Sequence, residues 1–457
     1  MKNKSTTLLP WFSAVILVIL STESMAAVSA DEVNKLVSSL TPVGAEKLGN
    51  ADGSIPAWTG GLPKNAAAVD SAGFLGDPFA SEKPLFSITK QNLEQYKGKL
   101  TPGQVALFKR YPNSYKMNVY PTHRSASLPD TVLSEIKKNA TKTTLVAGGN
   151  GLENFTGSYA FPIPQNGQEV IWNHITRYRG GSESRQFVEI APDAKGGFNP
   201  VYAQELVASP SHLAGEDDNT SSNILFYVKQ SITAPPRLAG SVLLIHETID
   251  QVKEPRMAWQ YNAGERRVRR APQLAYDGPG PSSDGQRTID NFDLFSGAID
   301  RYDWKLVGKK EIYIPYNSYK LDSPSLKYAD IVRAGHMNPE LLRYELHRVW
   351  HVTATLKAGT RHIYSKRDFY IDEDTWQASV VDHYDGRDNL WRVAEAHSLF
   401  FYNVQVPLFT AETLHDLVSG RYVIVGLKNE EKRNYQFGVN ASKHDFTPNA
   451  LRQAGVQ

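Results

Sequence analysis

The chain has 457 residues, with 50 Lys plus Arg against 48 Asp plus Glu and a net charge of +2. So even a balance leaves no basic face on which nucleic-acid binding could depend. With no cysteine there can be no disulfide, thiolate metal site or cysteine-borne lipid anchor, so stability rests on core packing, for which this length is ample.

In chain order, residues 1–4 are a short positive stretch and 8–20 an apolar run interrupted by Pro10 and Ser13. Ser24 and Ala26 then place small residues at the two positions that a signal peptidase reads. The run is shorter than the roughly 20 residues needed to span a bilayer. The expectation is a cleaved signal peptide over 1–26 and a soluble protein in a Gram-negative periplasm.

Residues 27–150 read as an irregular arm. Val33, Leu36, Val37 and Leu40 recur at helical spacing, and residues 49–84 are rich in Gly and Pro. Short helices are expected at 89–97, 101–110 and 129–139, the last two opening with a Thr or Pro start signal.

From 151 to about 440 the pattern is that of strands. Residues 169–178, 224–233, 241–249 and 304–316 are rich in β-branched and aromatic side chains. Residues 347–356, 361–371, 376–385 and 390–400 form four long strand patterns separated by the turn sequences KAGT, DED and GRDN. Such a meander without intervening helices implies a mainly β, α+β chain built on a large curved antiparallel sheet or open half-barrel. Residues 441–457 remain as a C-terminal tail.

In HRVWHVTATL (347–356), Arg348, Trp350, Val352, Ala354 and Leu356 share one face, and His347, Val349, His351, Thr353 and Thr355 the other. The sheet should therefore have a covered face and a wetter one. An apolar concave face is either core packed by helices or a cavity for an apolar ligand.

Motifs for chemistry are missing. His347 and His351 would share a zinc on a helix, but on a strand they stand about 13 Å apart. His246-Glu247 has no second histidine at the zinc-protease spacing, and neither a GxSxG elbow nor a phosphate loop occurs. Asp217, Asn219 and Ser221 begin like a calcium loop, but Ser222 replaces its glycine and Val228 its glutamate. Asp372-Glu373-Asp374 reads as a solvated turn. No catalytic residue, metal or cofactor is expected, and the chain reads as a non-enzymatic monomer.

AWQYNAGERRVRRAP (258–272) reads as a hairpin turning at Asn262-Ala263-Gly264-Glu265. A two-residue loop sets Met257, Trp259 and Tyr261 on one face with Arg266, Val268 and Arg270, and sets Arg267 and Arg269 on the other. A three-residue loop swaps those partners.

Together with that hairpin, DGSIPAWTGGLP (52–63), FDLFSGAIDRYDWKLVGKKEIYIPYNSYKL (292–321), YELHRVWHVTATLKAGTRHIYSKRDFYIDEDTWQ (344–377) and DHYDGRDNLWRVAEAH (382–397) resemble the periplasmic family catalogued as domain of unknown function 1329. Its members are often labelled outer-membrane lipoprotein-sorting proteins. The resemblance implies a fold like the lipoprotein carriers LolA and LolB, an unclosed antiparallel barrel whose apolar concavity is plugged by helices. It also implies a lipid or other hydrophobic ligand, and as partners an RND-type exporter and an outer-membrane protein. The family has no established catalytic residues. On this reading Trp259, Trp304, Trp350, Trp376 and Trp391 are candidates to line the cavity, and Arg267 and Arg269 to meet headgroups or a partner. The alternatives are an accessory protein of an export complex with no small ligand, and an enzyme acting on envelope glycans or lipids.

Overall fold

The structure is a computed structural model and describes residues 28–215, 223–272, 274 and 276–456. The expected signal peptide and the calcium-like loop lie outside these residues. First come α1 (Ala30–Asn34), β1 (Phe86–Ile88), α2 (Leu93–Tyr96), α3 (Pro102–Arg110), β2 (Met117–Val119) and α4 (Asp130–Lys142). The short pair β3 (Thr144–Leu145) and β4 (Leu152–Glu153) leads into α5 (Gly167–Thr176). Next are β5 (Ser182–Ile190), β6 (Val201–Ala208), β7 (Ile224–Ala234), β8 (Val242–Thr248), β9 (Met257–Asn262), β10 (Arg267–Arg270) and β11 (Tyr302–Pro315). After α6 (Tyr328–Ile331) run β12 (Tyr344–Leu356), β13 (Lys366–Asp372), β14 (Ala378–Tyr384), β15 (Leu390–Phe401), β16 (Val406–Asp416), β17 (Tyr422–Leu427) and β18 (Gln436–Phe437). The last described element is α7 (Pro448–Val456).

Sixteen of these strands form one sheet, ordered β1-β2-β12-β13-β14-β15-β16-β17-β5-β6-β7-β8-β9-β10, with β11 also on β12 and β18 on β5. The chain is thus mainly β, with an almost entirely antiparallel sheet that does not close on itself among the described residues. The expected meander is β12 to β15, although its second strand starts at Lys366 rather than 361.

The curl of the sheet follows from α5. A methyl added to Gly167, at the start of α5, would lie 2.7 Å from the Trp304 carbonyl of β11. At the other end, Ile175 and Thr176 share a cavity wall with Val207 of β6 and Phe226 of β7. From β12 to β6 is seven strand spacings, roughly 34 Å at about 4.8 Å each. A ten-residue helix is only roughly 15 Å long. For one such helix to touch both regions, the sheet must wrap around it.

Residues 169–178 had the composition of a strand, but Gly167–Thr176 is helical. Asn166 caps it, accepting from the Glu169 N–H at 3.0 Å, and every residue from Glu169 to Thr176 is buried. A helix buried on all sides, its polar residues Glu169, Asn173 and His174 included, shows no clear amphipathic period, so its β-branched residues imitate a strand.

The expectation of a wet face also fails. Val352, Ala354 and Phe369 pack with α5 on the inner face, while Val349, Tyr370 and Val380 pack on the outer face with Leu107, Phe108 and Met117 of the arm. The arm thus covers the polar face, and His347 and His351 are buried. At the far end α7 covers the same outer side, packing on Tyr227, Leu244 and Tyr261.

The Asp372-Glu373-Asp374 turn is buried for the same reason. Arg124 of the arm forks onto Asp374 at 2.6 and 2.8 Å, and Arg348 and Lys309 both hold Glu373 at 2.7 Å. Such pairs stabilise little net, but removing one partner leaves a buried charge alone.

If α5 seats on β11 through Gly167, then Gly167→Ala must push the two backbones apart. The expected cost is roughly 1–3 kcal/mol in urea denaturation; an unchanged midpoint would contradict this packing.

Candidate binding cavity

On β5 to β8 the inner face mixes charge with apolar bulk. Glu183 pairs across with Val207, Arg185 with Glu205, Val207 with Val228, and Val228 with Ile245. Opposite this wall lies the segment that carries Pro281, Arg287, Ile289, Phe292, Asp293 and Ser296. The two surfaces do not meet throughout. A cavity of about 390 Å³ lies between the end of α5, Val132 and Glu135 of α4, and Val207, Leu225 and Phe226. Two gaps of about 30 and 40 Å³ continue beneath Phe226, Val228 and Phe292, the second reaching Leu243 and Ile245. Phe226 borders all three. The first is of small-molecule size, and each of the others has room for about two waters.

Polar groups in the wall are held in pairs. Arg177 and Arg179 donate to the two oxygens of Asp293 at 2.5 and 2.6 Å. Arg185 meets Glu205 at 2.8 Å, Arg256 meets Glu247 at 2.7 Å, and Arg287 meets Glu189 at 3.1 Å. Burial opposes the Asp293 charge, but the two arginines hold its carboxyl well below the usual range.

His174 of α5 is pushed down to about 3, first by burial and then by Arg177. Its partners fit the neutral ring. Nε2–H faces the carbonyls of Asp293 and Phe295 at 3.0 and 3.1 Å, and Nδ1 accepts from the Ala378 N–H at 3.1 Å. Two carboxyls stay acidic in the other sense. Glu183 is raised to about 7 by burial, and Glu412 to about 8 by burial and then by Asp293.

The 390 Å³ space sets the apolar Val132, Ile175, Val207, Leu225 and Phe226 beside Arg177 and Arg179, a lining chemically suited to both halves of an amphiphile. At the rim, the Ser209 hydroxyl lies 2.8 Å from Nδ1 of His212, a contact three residues apart that closes a local turn.

The five tryptophans do not converge here. Trp376 is fully buried, donating to the Val43 carbonyl at 2.9 Å and stacking on Trp350, and Trp304 packs with Phe295 and Phe369. Those three belong to the packed half of the concave face. Trp259 lies on the outer face against His246, beside the cluster beneath α7, and Trp391 donates to Asp416 at 2.9 Å. None of the five lines any of the three spaces.

Arg267 and Arg269 do share the cavity face. Arg269 pairs with Gln260, which pairs with Leu243 of the wall. The loop has four residues, 263–266, with Arg266 in the left-handed region at φ 52°. That length keeps the faces a two-residue loop would give, with the register displaced by two. Sequence reading overlooked the wall itself, which mixes charge and bulk on one face: Glu183, Arg185, Phe187 and Glu189 of β5, and Leu243, Ile245 and Glu247 of β8.

One group could hold a cation. His347, Asp372 and Asp374 each bring a ligand atom within 4.8 Å of the others, all buried beneath the arm. Burial, then Asp374, raises Asp372 to about 7, while Glu345 and Asp372 raise His347 against the effect of burial. Both Asp374 oxygens already accept from Arg124, whose positive charge opposes a cation beside them.

An unclosed β-sheet wrapped on a helix, with an amphiphilic cavity on its concave side, defines the class of protein. The chain matches the family described as protein of unknown function DUF1329 over residues 87–452, and it belongs to that family. It is 64% identical over 454 residues to the uncharacterized protein PA3922 of Pseudomonas aeruginosa, covering 99% of this chain and 100% of that one. Among solved structures it is similar to a DUF1329 family protein from Desulfovibrio piger, with TM-score 0.42, 14% identity, and coverage of 60% of this chain and 92% of that one. A LolA superfamily protein, NE2245 from Nitrosomonas europaea, is similar with TM-score 0.37, 12% identity, and coverage of 62% and 98%.

A buried acid whose folded pKa is raised contributes stability below its unfolded value and loses it as pH rises toward the folded one. For Glu183 the window runs from about 4.5 to about 7. Glu183→Gln should therefore gain on the wild type by up to about 3 kcal/mol in urea denaturation between acid and mildly alkaline pH. A pH-independent difference would contradict this assignment.

Proposed function

We propose that the protein is a periplasmic, non-enzymatic carrier that holds a lipid or other amphiphile on the concave side of its sheet. The observation that carries this reading is the line of spaces along β5 to β8, lined by apolar side chains and paired arginines. The physical need is plain. Each CH₂ moved into water costs about 0.8 kcal/mol, so an acyl chain crossing an aqueous compartment faces more than ~10 kcal/mol. A cavity that receives the chain removes most of that barrier. Service to an RND-type exporter and an outer-membrane protein is part of the proposal and rests on the family resemblance.

One observation favours a second reading, an accessory protein without a ligand. The middle of the concavity is filled by α5, Trp304, Trp376 and Phe369 as ordinary core. On that reading the remaining space would be incidental.

Titration with a fluorescent fatty acid separates the two. The wild type should bind saturably, one probe per chain. Val207→Phe, which projects a ring into the 390 Å³ space, should weaken binding at least about tenfold, or about 1.4 kcal/mol. Absence of saturable binding, or equal affinity in the stably folded variant, would favour the accessory role.

A further inference from the structure

The free edge of the sheet carries a concentration of charge that the ion pairs of the wall do not use. Among the described residues, strand β10 is terminal and pairs only with β9. Four arginines and one glutamate give residues 263–272 a net charge of +3, against +2 for the whole chain. Arg266, Arg267, Arg269 and Arg270 are all exposed. Arg269 meets Glu265 at 2.7 Å with both side chains largely in water, a pair of little strength. The side chains of Arg266, Arg267 and Arg270 make no hydrogen bond or ion pair among the described residues.

An exposed edge strand is ordinarily protected from pairing by charge, and one or two lysines achieve that. Four arginines exceed the need, and two of them, Arg267 and Arg269, stand on the cavity face, whereas Arg270, opposite Trp259, stands on the outer one. Arg269, Gln260 and Leu243 lie in register across β10, β9 and β8, on the face that bounds the innermost gap. Arg269 is thus two strand spacings, roughly 10 Å, from the apolar wall.

From this we infer that the β9–β10 edge docks on an anionic bilayer surface, with the concave side turned toward the lipid it would exchange. The inference rests on the carrier reading for its purpose, but not for its charge. A bilayer is the partner that supplies both an anionic plane for the arginines and apolar cargo for the wall beside them. A polyanion such as nucleic acid would meet only a single strand of positive charge.

Each arginine near an anionic surface strengthens binding about fivefold. The test is co-flotation of the full chain with vesicles of phosphatidylcholine, with and without phosphatidylglycerol. The wild type should bind only the anionic vesicles, and lose them at about 1 M salt, where the screening length falls to about 3 Å. Arg267→Gln with Arg269→Gln should weaken binding roughly 25-fold, and the fourfold Arg→Gln variant more than about 100-fold. Thermal unfolding should show both variants folded, since these side chains support no core.

Equal binding of the wild type to neutral vesicles, or wild-type binding by the double variant, overturns the inference. So does failure to bind anionic vesicles at low salt, which would leave the edge to an acidic protein. Probe uptake in vesicle-free solution keeps the two claims apart. A fourfold variant that still takes up probe but no longer floats supports the docking edge. A wild type that floats but takes up no probe supports the edge and removes only the carrier reading.

Discussion

The carboxylate of Asp293 is the point on which the architecture turns. It is buried, and Arg177 and Arg179, just beyond the end of α5, close on its two oxygens. A charge so enclosed is costly unless paired, and here two cations from one side fix one anion from the other. His174, one helical turn earlier, ties α5 to the carbonyls of Asp293 and Phe295 and to the backbone N–H of Ala378. Together these contacts join α5 to the segment around 293 and to the start of β14. The helix acts as a brace inside the curl. Held there, it prevents the sheet from closing and equally from collapsing flat.

The brace divides the concave side into two halves. Against β11 to β16 it is packed with Trp304, Phe369, Trp376 and Leu399 as one buried cluster. Beyond its C-terminal end, against β5 to β8, bulk gives way to a mixture of Glu, Arg, Phe and Val, and space appears. Charged side chains in such a wall cannot pack as densely as aliphatic ones, since each must keep its partner in reach. The same pairing balances the buried charges while leaving polar atoms beside the apolar ones.

What could be read from the chain followed from which elements keep a period. β12 separates its apolar and polar residues onto two faces, and β14 and β15 are rich in hydrophobic side chains and set off by turn sequences, so their existence and order were legible. The hairpin itself was legible but its faces were not, because two- and three-residue loops bring opposite partners together; the four-residue loop, with Arg266 at a left-handed φ, restores the faces of the two-residue one. α5 was not legible as a helix, because burial on all sides erased its polar stripe. The DED turn and the polar face of β12 were misread for a different reason. Their partners, Arg124 and the helices of the arm, come from more than 200 residues away, with 250 positions separating Arg124 from Asp374. No local pattern announces such a cover. The cavity wall was hidden because its charged residues look like those of a solvated strand until the sheet curls over them.

The central claim is that the open half of the concave side holds an amphiphile. It is tested most directly by mass spectrometry of organic extracts from protein purified under native conditions from its own host. The account predicts one amphiphile per chain in the wild type, and its loss when the space beside Val207 is filled. Wild-type protein that is clean of any lipid or other apolar molecule, while fully folded, would contradict it.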